Sequence, residues 1–529
     1  MTPRVIDPRS TANATLTVTE RTDLLVVGAG PAGLAAAVAA AGHGLSVVLV
    51  DENPVAPETM GDDVPLHFGQ RMSGAVRNRT AMTEAMLHAE PALADAMEAG
   101  VDVRLGTVVW GLYANGPSVG WLPGKVAGLS NGEASWMLGF KSAVVAAGRR
   151  DMGLAFPGWH LPGVMGATAA ERLARLGALD ARRAVVLGTT AEALLAAVAM
   201  RRAGVDVAAI VEQAGAPVGP AALLDQLAGV PILTRHVIAA AGGEADGVTG
   251  AGLARLDDDG RRVADEAATV ECDTIVLGIG AVPVIELLDA IGCRSVFSPA
   301  RGGHVPETDA AQMTSVPDIY AVGDCAGVWA AKSMDRAVAE AEGRRAAARA
   351  AQTATDPAIP AEPEAPSTDF SAYRLAWMRS AVVEAAPGAE AHVCQCEEVT
   401  AREILEVRPP RYLNWPHPLR NSTDLTALLG QGPPNADQVK RLTRAGMGLC
   451  QGRRCREQVA ALLALGAGAG LGEVPLATFR APVRPIPLGL AALPDPPDMA
   501  EHWDVWFGIP GQFAAHWELE ATPNPAAKP

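Results

Sequence analysis

Near the C-terminal end of the chain four cysteines stand in two pairs: Cys394 and Cys396 in VCQCEEVT, then Cys450 and Cys455 in GMGLCQGRRC. The whole sequence holds seven cysteines, so this grouping asks for a chemical reason. The two thiolates at each end can hold one iron of a [2Fe–2S] cluster, which takes four cysteine ligands. Gly446, Gly448 and Gly452 free backbone amides to point at sulfur, and such hydrogen bonds tune a cluster's potential. Arg453 and Arg454 can offset cluster charge, meet an acidic partner, or form a solvated basic turn. Structural zinc is a rival reading, although it more often uses Cys-x2–4-Cys pairs than Cys-x-Cys. A disulfide and four inert thiols complete the alternatives, the former disfavoured in a reducing compartment.

The flanking elements are set by local signals. Thr400-Ala401-Arg402-Glu403 has the capping-box pattern, which predicts a short helix directly after the first pair. In NADQVKRLTRAG, Asn435 reads as the N-cap of another helix and Gly446 as its terminator, leaving the second pair in a loop. Residues 351–369, AQTATDPAIPAEPEAPSTD, lack apolar periodicity and read as a semi-extended linker.

A second kind of chemistry is written near the N-terminus. Residues 23–51 read DLLVVGAGPAGLAAAVAAAGHGLSVVLVD: strand, glycine turn, Ala-rich helix, strand, acid. Gly28 makes the tight turn, Gly30 lets a pyrophosphate approach, and Gly33 lets helix and strand pack closely. Pro31 and Ala32 open the helix whose free amides face the phosphates. Asp51 or Glu52, both at the second strand's exit, takes the ribose hydroxyls. Two later segments, AVVAAGR (143–149) and DIYAVGDCAG (318–327), resemble those that close the FAD site of two-dinucleotide-domain flavoproteins. That likeness makes Asp324 of the Gly323-Asp324 pair a flavin ligand and leaves Cys325 as a neighbour.

Between them, residues 184–212 repeat the strand–turn–helix–strand order, but the turn is Gly188-Thr189-Thr190-Ala191-Glu192-Ala193. Larger side chains and the Glu192 carboxylate there oppose a pyrophosphate, so NAD(P) is not expected. No Cys-x-x-Cys occurs, which argues against a dithiol relay. The 529 residues imply several domains, and a net charge of −16 argues against a nucleic-acid surface. The N-terminus lacks a signal-peptide core and no apolar run reaches membrane-spanning length, so a cytoplasmic location is expected.

Taken together, these features resemble the FAD and iron–sulfur α-subunits of heteromeric amino-acid or opine dehydrogenases, the relatives of hydrogen cyanide synthase, octopine/nopaline oxidase and D-hydroxyproline dehydrogenase. The phrases that carry it are FPGWHLPGVM (156–165), TSVPDIYAVGDCAG (314–327), VCQCEEVT (393–400), RAGMGLCQGRRC (444–455) and APVRPIPLG (481–489). The resemblance implies an α/β fold, a Rossmann-like FAD domain with an inserted second domain, plus a small, mainly helical BFD-like [2Fe–2S] domain. It divides the chain into a tail (1–20), an FAD domain (21–170 and 281–350), a degenerate second dinucleotide domain (171–280), a linker (351–375), a [2Fe–2S] domain (376–470) and a C-terminal extension (471–529).

It further implies an electron-transfer subunit whose partner, a flavoprotein similar to D-amino-acid oxidases, oxidises the C–N bond. Some such complexes add a small third subunit, or an FMN between subunits, or meet their electron acceptor at the membrane surface. The cofactor-binding set it implies adds Gln70, Arg71, Val109, Ala147 and Gly148 to the residues already named. In HFGQRM, His67 and Gln70 look like the family's glycine-glycine-glutamine segment, here with Phe68-Gly69 before the glutamine. No substrate acid/base pair is identified, so no catalytic residue is assigned. The gap between the cysteine pairs is longer than usual in that family, with the insertion 408–432. An NAD(P)H-dependent reductase and a non-catalytic metal-binding assembly module remain as competing expectations.

Overall fold

Continuous apolar runs bounded by glycine turns build parallel strands buried on both faces, and among the described residues such strands centre one mixed and one all-parallel sheet. The computed structural model describes residues 16–55, 78–116, 120, 122–355, 370–384, 388–409 and 424–491. The first sheet contains β1 (Glu20–Val27), β2 (Val47–Asp51), β3 (Asp102–Leu105), β4 (Val108–Tyr113), β5 (Lys125–Ser130) and β6 (Ser135–Val145). Their order is β3-β2-β1-β6-β5-β4, with the strand Ile319–Ala321 also pairing β6. β1 runs parallel to β2 and β6, while β5 and β4 fold back antiparallel. Helix α1 (Pro31–Gly42) covers this sheet against the helix Arg336–Ala350. Their backbones meet closely: a Cβ on Gly343 would lie 2.1 Å from the Ala32 carbonyl oxygen. The alanine-rich composition of both helices is what allows that approach.

The second sheet has the order Ile232–Thr234, Asp206–Glu212, Arg183–Leu187, Thr274–Leu277, Val164–Gly166, all parallel. A three-stranded antiparallel sheet, His236–Glu244, Gly247–Leu256 and Arg262–Glu271, packs beside it. The chain enters the second sheet at Val164–Gly166, and the strand Ile319–Ala321 returns it to the first.

The C-terminal helices Phe370–Met378, Ala401–Leu405, Ala436–Thr443 and Arg456–Ala467 share one apolar core with the second sheet. Trp377, Val459 and Leu462 pack there with Phe156, Trp159 and Ile275, and Trp159 Nε1 donates to the His392 carbonyl at 2.8 Å. The cysteine region is therefore anchored through buried apolar area, the dominant folding force. The following segment reaches back to the first sheet: Val483 N donates to Trp110 O at 2.8 Å and Arg484 pairs with Glu52 at 2.7 Å. No helix among the described residues is long and apolar enough to cross a membrane.

Candidate functional site

The first glycine turn is built by backbone proximity. Gly28 has φ +108°, and a Cβ there would sit 2.2 Å from the Ala146 carbonyl oxygen. A Cβ on Gly33 would lie 1.9 Å from Gly28 O, whereas one on Gly30 would meet nothing within 4 Å. The open side at Gly30 is thus the side a phosphate can approach. α1 starts there with Pro31, whose missing N–H is one the helix end would leave orphaned anyway. Its first turn carries neither an acid nor a side-chain cap, so Ala32 and Gly33 lie in a turn with free amides.

Of the two acids at the exit of β2, Asp51 faces this turn. Its Oδ2 accepts from Ala29 N at 2.7 Å and its Oδ1 from Asn53 N at 2.8 Å. Glu52 turns away to Arg484. Across the sheet, Ala147 and Gly148 follow β6, and Gly148 (φ +77°) has open space around it. Gly323 (φ +70°) approaches Ala32, and the Asp324 carboxylate lies 3.4 Å from Arg149 Nη1. Val109 is buried in β4 opposite Leu129, its side chain committed to the core of the first sheet. His67, Gln70 and Arg71 lie outside the described residues.

Sequence reasoning missed the pair that clamps the Gly323-Asp324 loop. Lys332 and Glu342, both fully buried, form an ion pair at 2.7 Å. Lys332 Nζ also donates to Gly323 O at 2.7 Å, and Gly323 N donates to Glu342 at 2.6 Å. The available signal was a lysine five residues beyond GDCAG and a glutamate directly before the glycine of an alanine-rich helix. Cys325 beneath them is inert: burial pushes its thiol up to about 12.

The second turn keeps the geometry of the first but is filled by the protein itself. Gly188 N donates to Val211 O at 2.7 Å, as Gly28 N does to Val50 O at 2.7 Å. Glu212, which stands where Asp51 stands in the first fold, is wholly buried. Tyr373 reaches in from the helix Phe370–Met378, donates to Glu212 at 2.9 Å, and accepts from Thr189 N at 3.4 Å. Burial pushes the Glu212 carboxyl above its ordinary range. Glu192 does not face this turn, contrary to its reading from sequence. It is buried, accepts from Ser333 Oγ at 2.8 Å, and lies 3.8 Å from Arg149 Nη1. The same guanidinium meets Asp324, so Glu192 braces the first fold.

Asp151 sits beside this network, accepting from Thr168 N at 2.9 Å and Thr168 Oγ1 at 3.0 Å. Burial raises its carboxyl from an ordinary 3.8 to about 6, with Arg149 opposing the rise. A raised acid holds its proton in the folded state after the unfolded chain has released it, so stability falls as pH rises from about 4 through about 6. We expect the unfolding free energy to drop on the order of 1–2 kcal/mol between pH 5 and pH 7.5 through this group. Urea titrations at both values should show that drop shrink in Asp151→Asn.

The four cysteine sulfurs meet at the junction of the helical part and the second sheet, and all seven cysteines are free thiols. Cys394 ends the strand His392–Cys394, and Thr400 and Glu403 form the expected capping box behind it. Cys396 Sγ lies 3.6 Å from Cys450 Sγ, and Cys394 contacts both Cys396 and Cys455. The sulfurs thus run Cys455–Cys394–Cys396–Cys450, neighbour to neighbour. Among the described residues no three His, Cys, Asp or Glu side chains surround a single ion position.

The three glycines have separate tasks. Gly446 N donates to Cys394 Sγ at 3.3 Å; a Cβ on Gly448 would press 2.5 Å from Cys396 Sγ; Gly452 (φ +81°) makes the turn. Further amide donors are Cys450 N to Cys396 and Arg454 N to Cys450. The helix Ala436–Thr443 is N-capped by Asn435 as expected, but it stops before Gly446. Arg444 itself takes the left-handed conformation (φ 65°) and pairs with Glu397 at 2.8 Å. Arg453 and Arg454 are buried and do not form a solvated turn. Burial lowers the guanidinium of Arg454, while the nearby cysteines oppose that effect. The donor set, four sulfurs under amide donors and an arginine, fits an anionic iron–sulfur cluster.

A cofactor cradle in the first dinucleotide fold and a self-filled turn in the second define a flavin-dependent oxidoreductase of the two-dinucleotide-domain class. The chain belongs to the pyridine nucleotide-disulphide oxidoreductase family, which matches residues 22–354. Residues 421–493 match the sarcosine oxidase A3 domain. The chain is 28% identical over 499 residues to an opine oxidase subunit from Agrobacterium tumefaciens, covering 89% of this chain and 92% of that protein. It is 26% identical over 464 residues to hydrogen cyanide synthase subunit HcnB of Pseudomonas protegens, covering 82% and 89%. L-Proline dehydrogenase from P. horikoshii has the same fold, with TM-score 0.57, 19% identity and coverage of 90% and 80%. The resemblance and the fold class expected from the sequence are both borne out.

Proposed function

We propose that this chain is the electron-transfer α-subunit of a heteromeric dehydrogenase acting on a C–N bond. Its partner is a flavoprotein similar to D-amino-acid oxidases. The observation that carries this reading is the coexistence of an open flavin cradle, a second turn closed by Tyr373, and four neighbouring cysteine sulfurs. Relatives whose names denote subunits of an opine oxidase and of hydrogen cyanide synthase support a heteromer. When bound, FAD supplies two-electron chemistry and a [2Fe–2S] cluster one-electron exchange, so together they relay electrons taken up by the partner.

The chain's own residues have the following roles in this proposal. Gly28, Gly30, Pro31, Ala32 and Gly33 admit the pyrophosphate, and Asp51 receives the ribose. Ala147, Gly148, Gly323 and Asp324 border the flavin chain, with Arg149 and the Lys332–Glu342 pair holding Asp324's loop in place. Cys394, Cys396, Cys450 and Cys455 ligate the cluster. The Cys-x-Cys and Cys-x4-Cys spacing favours two irons with two thiolates each over one tetrahedral zinc. Beside Cys450, Met447 and Leu449 are 39% and 53% exposed, apolar contacts suited to a docking protein. A cytoplasmic complex, with an FMN at the subunit interface and a small third subunit, completes the reading.

The test is which reductant works. Purified with its flavoprotein partner, the chain's flavin and iron–sulfur absorbance should bleach with an amine or imino-acid substrate and stay unchanged with NADH. Rapid bleaching of the isolated chain by NADH would sink the proposal and point to an NAD(P)H-dependent reductase.

A further inference from the structure

Beside the cysteine loop lies a cavity of about 310 Å³ that the proposed electron relay leaves unused. Its walls come from the helix Ala436–Thr443, the loop after Cys450, and the segment 478–483 that bridges to the first sheet. Five cations line it, Lys440, Arg441, Arg453, Arg456 and Arg480, against two carboxylates. Glu286 pairs with Arg150 through Oε1, its buried Oε2 having no hydrogen-bond partner among the described residues, and Asp437 accepts from Thr478 N and Oγ1. Positive charge is therefore in surplus.

Some of that charge is out of water. Arg453 and Arg456 are 8% and 4% exposed. The Arg456 guanidinium stacks on Phe479, and its Nε and Nη1 are buried with no hydrogen-bond acceptor among the described residues. Buried guanidinium groups without acceptors are costly, and a bound anion removes that cost. A single carboxylate is too little charge for the surplus. A phosphoryl group brings ≈ −1.5 to −2 and three acceptor oxygens, and arginine forks match it well. Beyond the phosphoryl group the cavity has room for a small organic body against Phe479 and Met447.

We propose that this cavity is an anion site for a phosphoryl group, carried either by free phosphate or by a mononucleotide-sized phosphomonoester. Its occupant acts on the cysteine loop directly. Arg453 Nε donates to Cys450 O at 3.0 Å, and Arg456 Nη2 donates to Gln451 O at 3.0 Å. The proposal stands whether or not the thiols hold a cluster.

Calorimetric titration of the full-length chain at constant ionic strength tests it, with inorganic phosphate in one arm and AMP in the other. Binding of phosphate alone assigns the free anion, and tighter AMP binding assigns the monoester. The rim variant Lys440→Gln/Arg480→Gln should weaken either by about tenfold or more, and Lys440→Arg should keep it. No binding of either probe at millimolar concentration, or equal affinity in the double variant, overturns the assignment. Circular dichroism of the variants separates lost binding from lost fold.

Discussion

Cys450→Ser should strip iron and acid-labile sulfide from the purified chain while its flavin stays in place. The Cys450 sulfur is 3.6 Å from that of Cys396, which places it inside the four-thiol site. Serine offers a poorer ligand for soft metal chemistry, and a cluster needs all four positions filled. The flavin cradle depends on different elements, the turn at Gly28 and the Gly323-Asp324 loop, which among the described residues share no side chain with the cysteine site. Iron should fall from about two per chain to near zero, with flavin content nearly constant. Thermal stability should fall as well, because ligand binding to the folded state is folding free energy. Cys325→Ser is the control: this thiol is buried under the other loop, and its loss should leave iron untouched. Full iron retention in Cys450→Ser would contradict the assignment of all four thiols.

Gly28→Ala and Gly30→Ala should separate folding from cofactor binding. At Gly28 the backbone has φ +108°, and the added methyl would stand 2.2 Å from the Ala146 carbonyl oxygen. The neighbour is buried backbone just past the end of β6, so it cannot yield cheaply. Left-handed strain of roughly 1–2 kcal/mol plus a backbone clash places the total at about 3 kcal/mol or more. At Gly30 the backbone is extended (φ −78°) and the methyl meets nothing within 4 Å. That variant should fold with ordinary stability and still lose flavin, because the methyl enters the space the pyrophosphate needs. Denaturant unfolding and flavin-to-protein absorbance ratios read both effects. Ordinary flavin content in Gly30→Ala would place the phosphate elsewhere.

What the sequence made legible is what local spacing determines. The strand–turn–helix–strand order around Gly28, the Thr400–Glu403 capping box and the Asn435 cap all depend on residues a few positions apart, and all appear in the fold. Contacts between distant segments were not legible. Tyr373 reaches Glu212 across 161 residues, and no periodicity announces it. Glu192 faces Ser333 and Arg149 because the two dinucleotide folds meet there, a tertiary fact that a turn motif does not contain. Arg444 adopts a left-handed conformation that glycine usually takes, helped by its pairing with Glu397, which is 47 residues away. In the cysteine site the four thiols and their spacing were readable, and the burial of Arg453 and Arg454 came only with packing.

The central claim is that four thiols join a flavin fold to one-electron chemistry. Low-temperature EPR of the chain in complex with its flavoprotein partner, reduced by the partner's amine substrate, tests it most directly. The expected result is the signal of one reduced [2Fe–2S] cluster per chain, absent in Cys450→Ser and not produced by NADH. An EPR-silent, sulfide-free protein carrying stoichiometric zinc would contradict it.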